Sequence, residues 1–268
     1  MNTKTLSPRA MSVIEQYLHF RIGAAACSVP YFNNKTVRAK MALRAFVGKG
    51  SPKDIFDEAE TFMVKNHLPA ASLADESLKK ILVDENIGID CSGFAYYVLN
   101  AESEEMKKGS ISKHASFVNC HGLLGKMRCS VRPAENCDVA TLANDKNSSI
   151  VPLNEIRPGD MITMTGSSAE AVKEGGFVGS ERDHILVIHQ VEYQNFVPYQ
   201  LHYSHAVAYP EDGIYGSGVK QGVIAIVDIN RVITAGKWSE GGKEGETNRI
   251  FMRAQRSKTE VRRLRWMK

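Results

Sequence analysis

The sequence predicts an α+β fold in which a helical N-terminal part packs on a C-terminal antiparallel sheet of about five strands. Two observations predict it. Apolar residues recur at helical spacing through the first third of the chain, and from Ile156 onward short β-branched runs alternate with turn-rich segments. Helices first and strands second is the order of an α+β domain whose layers cover each other's apolar faces.

In chain order, Ser7-Pro8 is an N-cap followed by proline at the first helical position, and Met11, Ile14, Leu18 and Ile22 follow at helical spacing. Pro30 breaks the chain. Val37 to Val47 then reads as a helix closed by Gly48, and Ser51-Pro52 repeats the start signal ahead of Ile55, Phe56, Ala59, Phe62 and Met63. A short helix follows around Ser77 to Leu82, and another begins at or just before Cys91 with Phe94, Tyr97 and Val98 on one face. Glu102 to Ser149 has weak periodicity and predicts loops and short elements. The predicted strands are Met161 to Met164, Ile185 to Val191, Tyr199 to Ala206, Val223 to Ile229 and Ile250 to Gln255. Between the first two, Gly166 to Arg182 is a long polar, glycine-containing excursion of the kind that borders sites.

This divides one domain, 1–268, into a helical part (1–87), a core carrying the motifs (88–230) and a C-terminal extension (231–268). A chain of 268 residues with 43% hydrophobic and 24% charged residues buries a core without metals or disulfides to staple it. The net charge of +4 is spread along the chain except at Arg262, Arg263, Arg265 and Lys268, which read as a solvated strand end, not as a nucleic-acid site. No apolar run is long enough to span a bilayer, and the first apolar stretch is interrupted by Glu15, Gln16, His19 and Arg21, unlike an export signal. Five cysteines without a CxxC pair make reduced thiols the expectation and point to the cytoplasm, with export by a non-standard route as the alternative.

The chemistry centres on Ile89-Asp90-Cys91-Ser92-Gly93-Phe94, where a loop turns into a helix. Unpaired N–H groups and the helix dipole at such a start lower a thiol's pKa and make it a nucleophile. Asp183-His184-Ile185-Leu186-Val187 puts a histidine at the head of an apolar strand, from which it can face a helix packed across the sheet. The next strand holds His202 and His205. A base needs a partner on its second ring nitrogen to fix its tautomer, and a polar residue on the neighbouring strand supplies one.

Asp90-Cys91-Ser92-Gly93-Phe94, Ile156-Arg157-Pro158-Gly159-Asp160-Met161-Ile162, Asp183-His184-Ile185-Leu186-Val187 and Ser204-His205-Ala206 together resemble, in order, the motif set of the NlpC/P60 peptidases of the papain-like superfamily. The resemblance implies a papain-like NlpC/P60 fold with Cys91 as nucleophile, His184 as base and His205 as the orienting residue; the small Ala206 favours His205 over His202. Val29-Pro30-Tyr31 resembles the family's PY segment and makes Tyr31, with Asp90 and Ser92, an oxyanion or substrate candidate. The match runs from about Tyr31 to Ile229. It departs from the family in the helices between Val37 and Val83, the long stretch before the PGD motif, Phe32-Asn33-Asn34 in place of WGG and His184-Ile185-Leu186 in place of HVG.

The activity implied is cleavage of an amide bond in peptidoglycan stem peptides or their fragments, with no cofactor and no metal. A zinc site at His114, Cys120, His121, Cys129 and Cys137 lacks paired spacing. The alternatives are a non-catalytic binder of cell-wall peptides on the same fold, or an acyltransferase, which the unpermuted order Cys, His, His disfavours.

Overall fold

The computed structural model describes residues 2–33, 43–166 and 183–268. The chain opens with strand β1 (Asn2–Thr5), which the sequence pattern did not announce. Helix α1 (Pro8–Leu18) follows, its first turn capped by the Ser7 hydroxyl accepting from the Ala10 N–H at 3.3 Å, and it buries Ala10, Ile14 and Tyr17. A hairpin, β2 (Phe20–Ile22) with β3 (Ala25–Cys27), comes next. The helix expected over 37–47 lies partly outside the described residues. Its described end is one 3₁₀ turn, Arg44–Val47, closed by Gly48 in the left-handed conformation at φ +71°. A side chain there would also strike the Phe32 carbonyl, so only glycine fits.

Helix α2 (Pro52–Lys65) starts in a reciprocal capping box between Ser51 and Asp54, and α3 (Asp75–Asp84) covers the segment expected around Ser77 to Leu82. Helix α4 (Cys91–Glu105) buries nearly its whole circumference, as a central helix must. The weakly periodic middle forms the short helices α5 (Ile111–His114), α6 (Gly122–Val131), α7 (Pro133–Asn136) and α8 (Val139–Leu142).

The sheet is larger than predicted. It contains β4 (Ser148–Ile150), β5 (Met161–Thr165), β6 (His184–Gln194), β7 (Val197–Val207), β8 (Gly218–Ala225), β9 (Lys237–Glu240), β10 (Lys243–Glu244) and β11 (Lys258–Leu264). The order is β10-β9-β8-β7-β6-β5-β11-β4, with β1 also on β6, and all these pairings are antiparallel. Residues 231–268 therefore contribute β9, β10 and β11 to the sheet, and β11 sits between β5 and β4.

Three expectations are corrected here. Ile250 to Gln255 is a helix, α9 (Arg249–Arg256), because the Asn248 side chain accepts from the N–H groups of Ile250 and Phe251 at 3.1 and 3.2 Å and starts a helix. The strand expected over Val223 to Ile229 begins earlier and ends at Ala225, its register set by pairing along β7. Of the basic tail, Arg265 and Lys268 are exposed as expected, but Arg262 and Arg263 are not solvated. Arg262 is buried against Ser148, Glu260 and Asp145, and Arg263 forks onto the buried Asp160 at 2.6 and 2.8 Å.

Strand alternation gives the sheet two apolar faces. Met161, Ile185, Val187, Ala206 and Val219 pack with α1 and α4, while Ile162, Met164, Leu186, Ile188, Tyr203 and Ile224 pack with Ile250 and Ala254 of α9.

Candidate active site

Cys91 is the first residue of α4, buried at 6% exposure. Asp90 caps the helix: its Oδ1 accepts from the Gly93 N–H at 2.6 Å, and its backbone carbonyl accepts from the Phe94 N–H at 3.0 Å. The same Oδ1 accepts from Lys49 Nζ at 2.9 Å and from the Ser92 hydroxyl at 3.0 Å. Lys49 Nζ also donates to Ser92 Oγ at 2.6 Å and to the Cys137 carbonyl at 3.0 Å. Burial works against the Lys49 charge, but Asp90 beside it more than compensates, and the lysine stays protonated with its pKa raised. Its ammonium lies within electrostatic reach of Cys91, so lysine and helix start both stabilise negative charge there.

The contacts of the neighbouring segments show where this end of α4 lies. Ile89 donates its N–H to the Pro30 carbonyl at 3.0 Å, and two residues before Pro30 the Ser28 hydroxyl donates to the Val219 carbonyl and accepts its N–H, both at 3.0 Å. Val219 pairs with Ala206, next to His205. At the far end of α4, Glu102 accepts from the Ser7 N–H, while Leu6 bonds the His189 carbonyl deeper along β6. Cys91 therefore stands at the edge of the sheet where β6 begins and β7 ends, the edge that carries His184.

At that edge His184 Nε2 and His205 Nδ1 are 2.7 Å apart, and His205 Nε2 and Glu240 Oε2 are 2.7 Å apart. The ionised carboxylate only accepts, so His205 carries its proton on Nε2. Where His205 carries no second proton, its Nδ1 accepts from the Nε2–H of His184. This assignment leaves His184 Nδ1 with a lone pair. Burial, then the Arg253 guanidinium and His205, hold His184 well below the ordinary imidazole value, so it is neutral at pH 7. Burial alone would raise Glu240, but His205 and the hydrogen bonds it receives keep it ionised, with its pKa below the usual carboxylate value. The Tyr209 hydroxyl donates to its other oxygen at 2.7 Å.

His184 pairs with Met164 and shares the face of His205 and Tyr203, whereas Ile185, Val187 and Ala206 face α4. The His184–His205 pair thus lies on the sheet face turned to α9, opposite the face that packs on α4. His202 belongs to a separate cluster with Glu192 at 2.7 Å, so His205 is the partner of His184.

Tyr31 is half-buried and pairs backbone-to-backbone with Ile89, two residues before Cys91. It lines a cavity of about 450 Å³ with Phe32, Leu82, Ile87, Tyr209 and Ile214, and among the described residues no Lys, Arg, Asp or Glu lines it. Asp90 and Ser92, the other two candidates, are both buried and bound to Lys49 at the helix start. The PGD motif is also structural. Gly159 turns at φ +90°, and Asp160 accepts from the Arg157 N–H at 2.9 Å besides gripping Arg263. The loop at Gly166 to Arg182 lies, beyond Gly166, outside the described residues.

Lys49 and Glu240 were missed. Lys49 sits between two glycines, a weak sign of close backbone approach; Glu240 ends a strand in the segment read only as a C-terminal extension. The middle cysteines also differ from expectation: Cys120 and Cys129 are joined in a disulfide with Cα atoms 6.3 Å apart. His114 stacks on Trp266, and burial pushes the Cys137 thiol up to about 12.

No protein-family model matches this chain, and no curated protein does either.

Proposed function

We propose that the chain is a cysteine hydrolase that cleaves an amide or peptide bond through a papain-like site of the NlpC/P60 type. The reading is supported above all by the Glu240–His205–His184 chain, whose proton order leaves a basic Nδ1 at the sheet edge where Cys91 opens α4. The Cys91 thiol gives its proton to His184 Nδ1, and the sulfur attacks the carbonyl carbon. Glu240, through His205, stabilises the imidazolium that forms. The backbone N–H of Cys91 and the Tyr31 hydroxyl are the proposed oxyanion donors. His184 returns the proton to the leaving amine as the C–N bond breaks. Water then gives a proton to His184, attacks the thioester, and expels the thiol.

Peptidoglycan stem peptides are the substrate class that the resemblance implies, and the uncharged lining that the described residues give the cavity beside Tyr31 suits an uncharged part of the substrate. The test is a panel of muropeptides and short peptides, followed by mass spectrometry of the products. Amide cleavage that disappears in Cys91→Ala supports the reading. Turnover undiminished in that variant contradicts it, and binding without turnover by the unaltered protein moves the protein to the binding-module class.

A further inference from the structure

Helix α6 (Gly122–Val131) turns its apolar residues away from the protein. Leu123, Leu124, Met127 and Val131 are 85%, 77%, 61% and 68% exposed, whereas Cys129 is buried and disulfide-bonded to Cys120. At about 100° per residue the four apolar side chains fall within an arc of about 100°, roughly opposite Cys129, with Lys126 flanking one side and Arg128 the other. Gly125, on the inner face, has the Cys120 backbone 3.1 Å from where a Cβ would be, so that face is the one seated on the protein.

Charge complements this shape. From Met106 to Ala134 the chain carries Lys107, Lys108, Lys113, Lys126, Arg128 and Arg132 and no Asp or Glu. Arg132 is paired with Glu135; Lys126 and Arg128 flank the stripe itself, and the other three belong to the same acid-free segment. An apolar stripe between cationic flanks suits the boundary between anionic headgroups and acyl chains, where the leucines enter the apolar layer and the basic groups stay among the headgroups. We infer that α6 docks this protein onto an anionic lipid surface, lying in the plane of the interface. No described helix is long and apolar enough to cross a membrane, so the association is peripheral.

This inference is independent of the hydrolase reading. The test is co-sedimentation of the full chain with vesicles of phosphatidylcholine alone, or with about a third phosphatidylglycerol, at low and high salt. The expected result is binding to the anionic vesicles at least tenfold tighter than to the neutral ones, weakened by salt. Lys126→Glu with Arg128→Glu should cost more than tenfold, and Leu123→Ser with Leu124→Ser should abolish binding even to anionic vesicles. All four sites are exposed, and circular dichroism checks that the variants fold. Absence of vesicle binding, or binding that neither variant alters, overturns the inference. So does light scattering that shows a dimer dissociated by the leucine variant, because the stripe would then cover a second copy of this chain.

Discussion

The two halves of the candidate site are built in opposite ways. The thiol half is local. Asp90, Cys91 and Ser92 are consecutive, and one helix start with Lys49 beneath it provides capping, positive charge and placement. The histidine half is assembled from three strands, with His184 on β6, His205 on β7 and Glu240 on β9, and its order exists only in the folded sheet. The thiol half is arranged to favour charge, whereas burial keeps its base neutral. In the proposed mechanism the neutral base takes the thiol's proton, and Glu240 offsets the cation that results.

Breaking either half separates their roles. Cys91→Ala should remove hydrolysis entirely, and no acyl adduct should accumulate in a mass spectrum. His184→Ala should cost about 10³-fold in kcat, the usual range for a positioned general base, and Cys91 alkylation should lose its reactivity at low pH. Glu240→Gln keeps the shape but loses the obligatory acceptor that orders the protons. A fall of about 10²-fold in kcat with little change in KM is expected, read from steady-state kinetics. An unchanged kcat would show that Glu240 only packs.

Two further changes act on the frame. Lys49→Met leaves Asp90 buried without its cation and should cost about 3–5 kcal/mol of unfolding free energy in a denaturant titration. His189, whose Nδ1 lies 2.9 Å from Ser204 Oγ, has the smallest effect. Burial, then His202, lowers its pKa to about 4. Unfolding frees it to bind a proton below its ordinary value of about 6.5, so its contribution, up to about 3 kcal/mol, is full above that pH. It is lost as pH falls from there towards 4. His189→Gln should flatten the measured stability over that window. His184 titrates with the same sign, so the acid limb of kcat/KM should lie below pH 6.5.

The difference between the halves also explains what could be read in the sequence. The helix starts at Ser7-Pro8, Ser51-Pro52 and Asp90-Cys91 rest on contiguous capping residues and were legible, as were the apolar runs of β5, β6 and β7. Strand β1 is too short and polar to carry a pattern, and the Ile250 segment is a helix because one asparagine cap outweighs its strand-like composition. Glu240 and Lys49 could not be found locally, since a partner 35 residues from His205, or one contacting Asp90 across 41 residues, is defined by packing alone.

The central claim is that Cys91 is an activated thiol served by His184, and pH-varied alkylation of the native protein followed by peptide mapping tests it most directly. Burial pushes Cys27 up to about 11 and Cys137 up to about 12, and Cys120 and Cys129 are bonded to each other, so the competing thiols are silent near neutrality. Selective labelling of Cys91 below pH 7 that disappears in His184→Ala is the predicted result. Labelling of Cys91 only near the unperturbed thiol value of about 8.5, indifferent to His184, would contradict it.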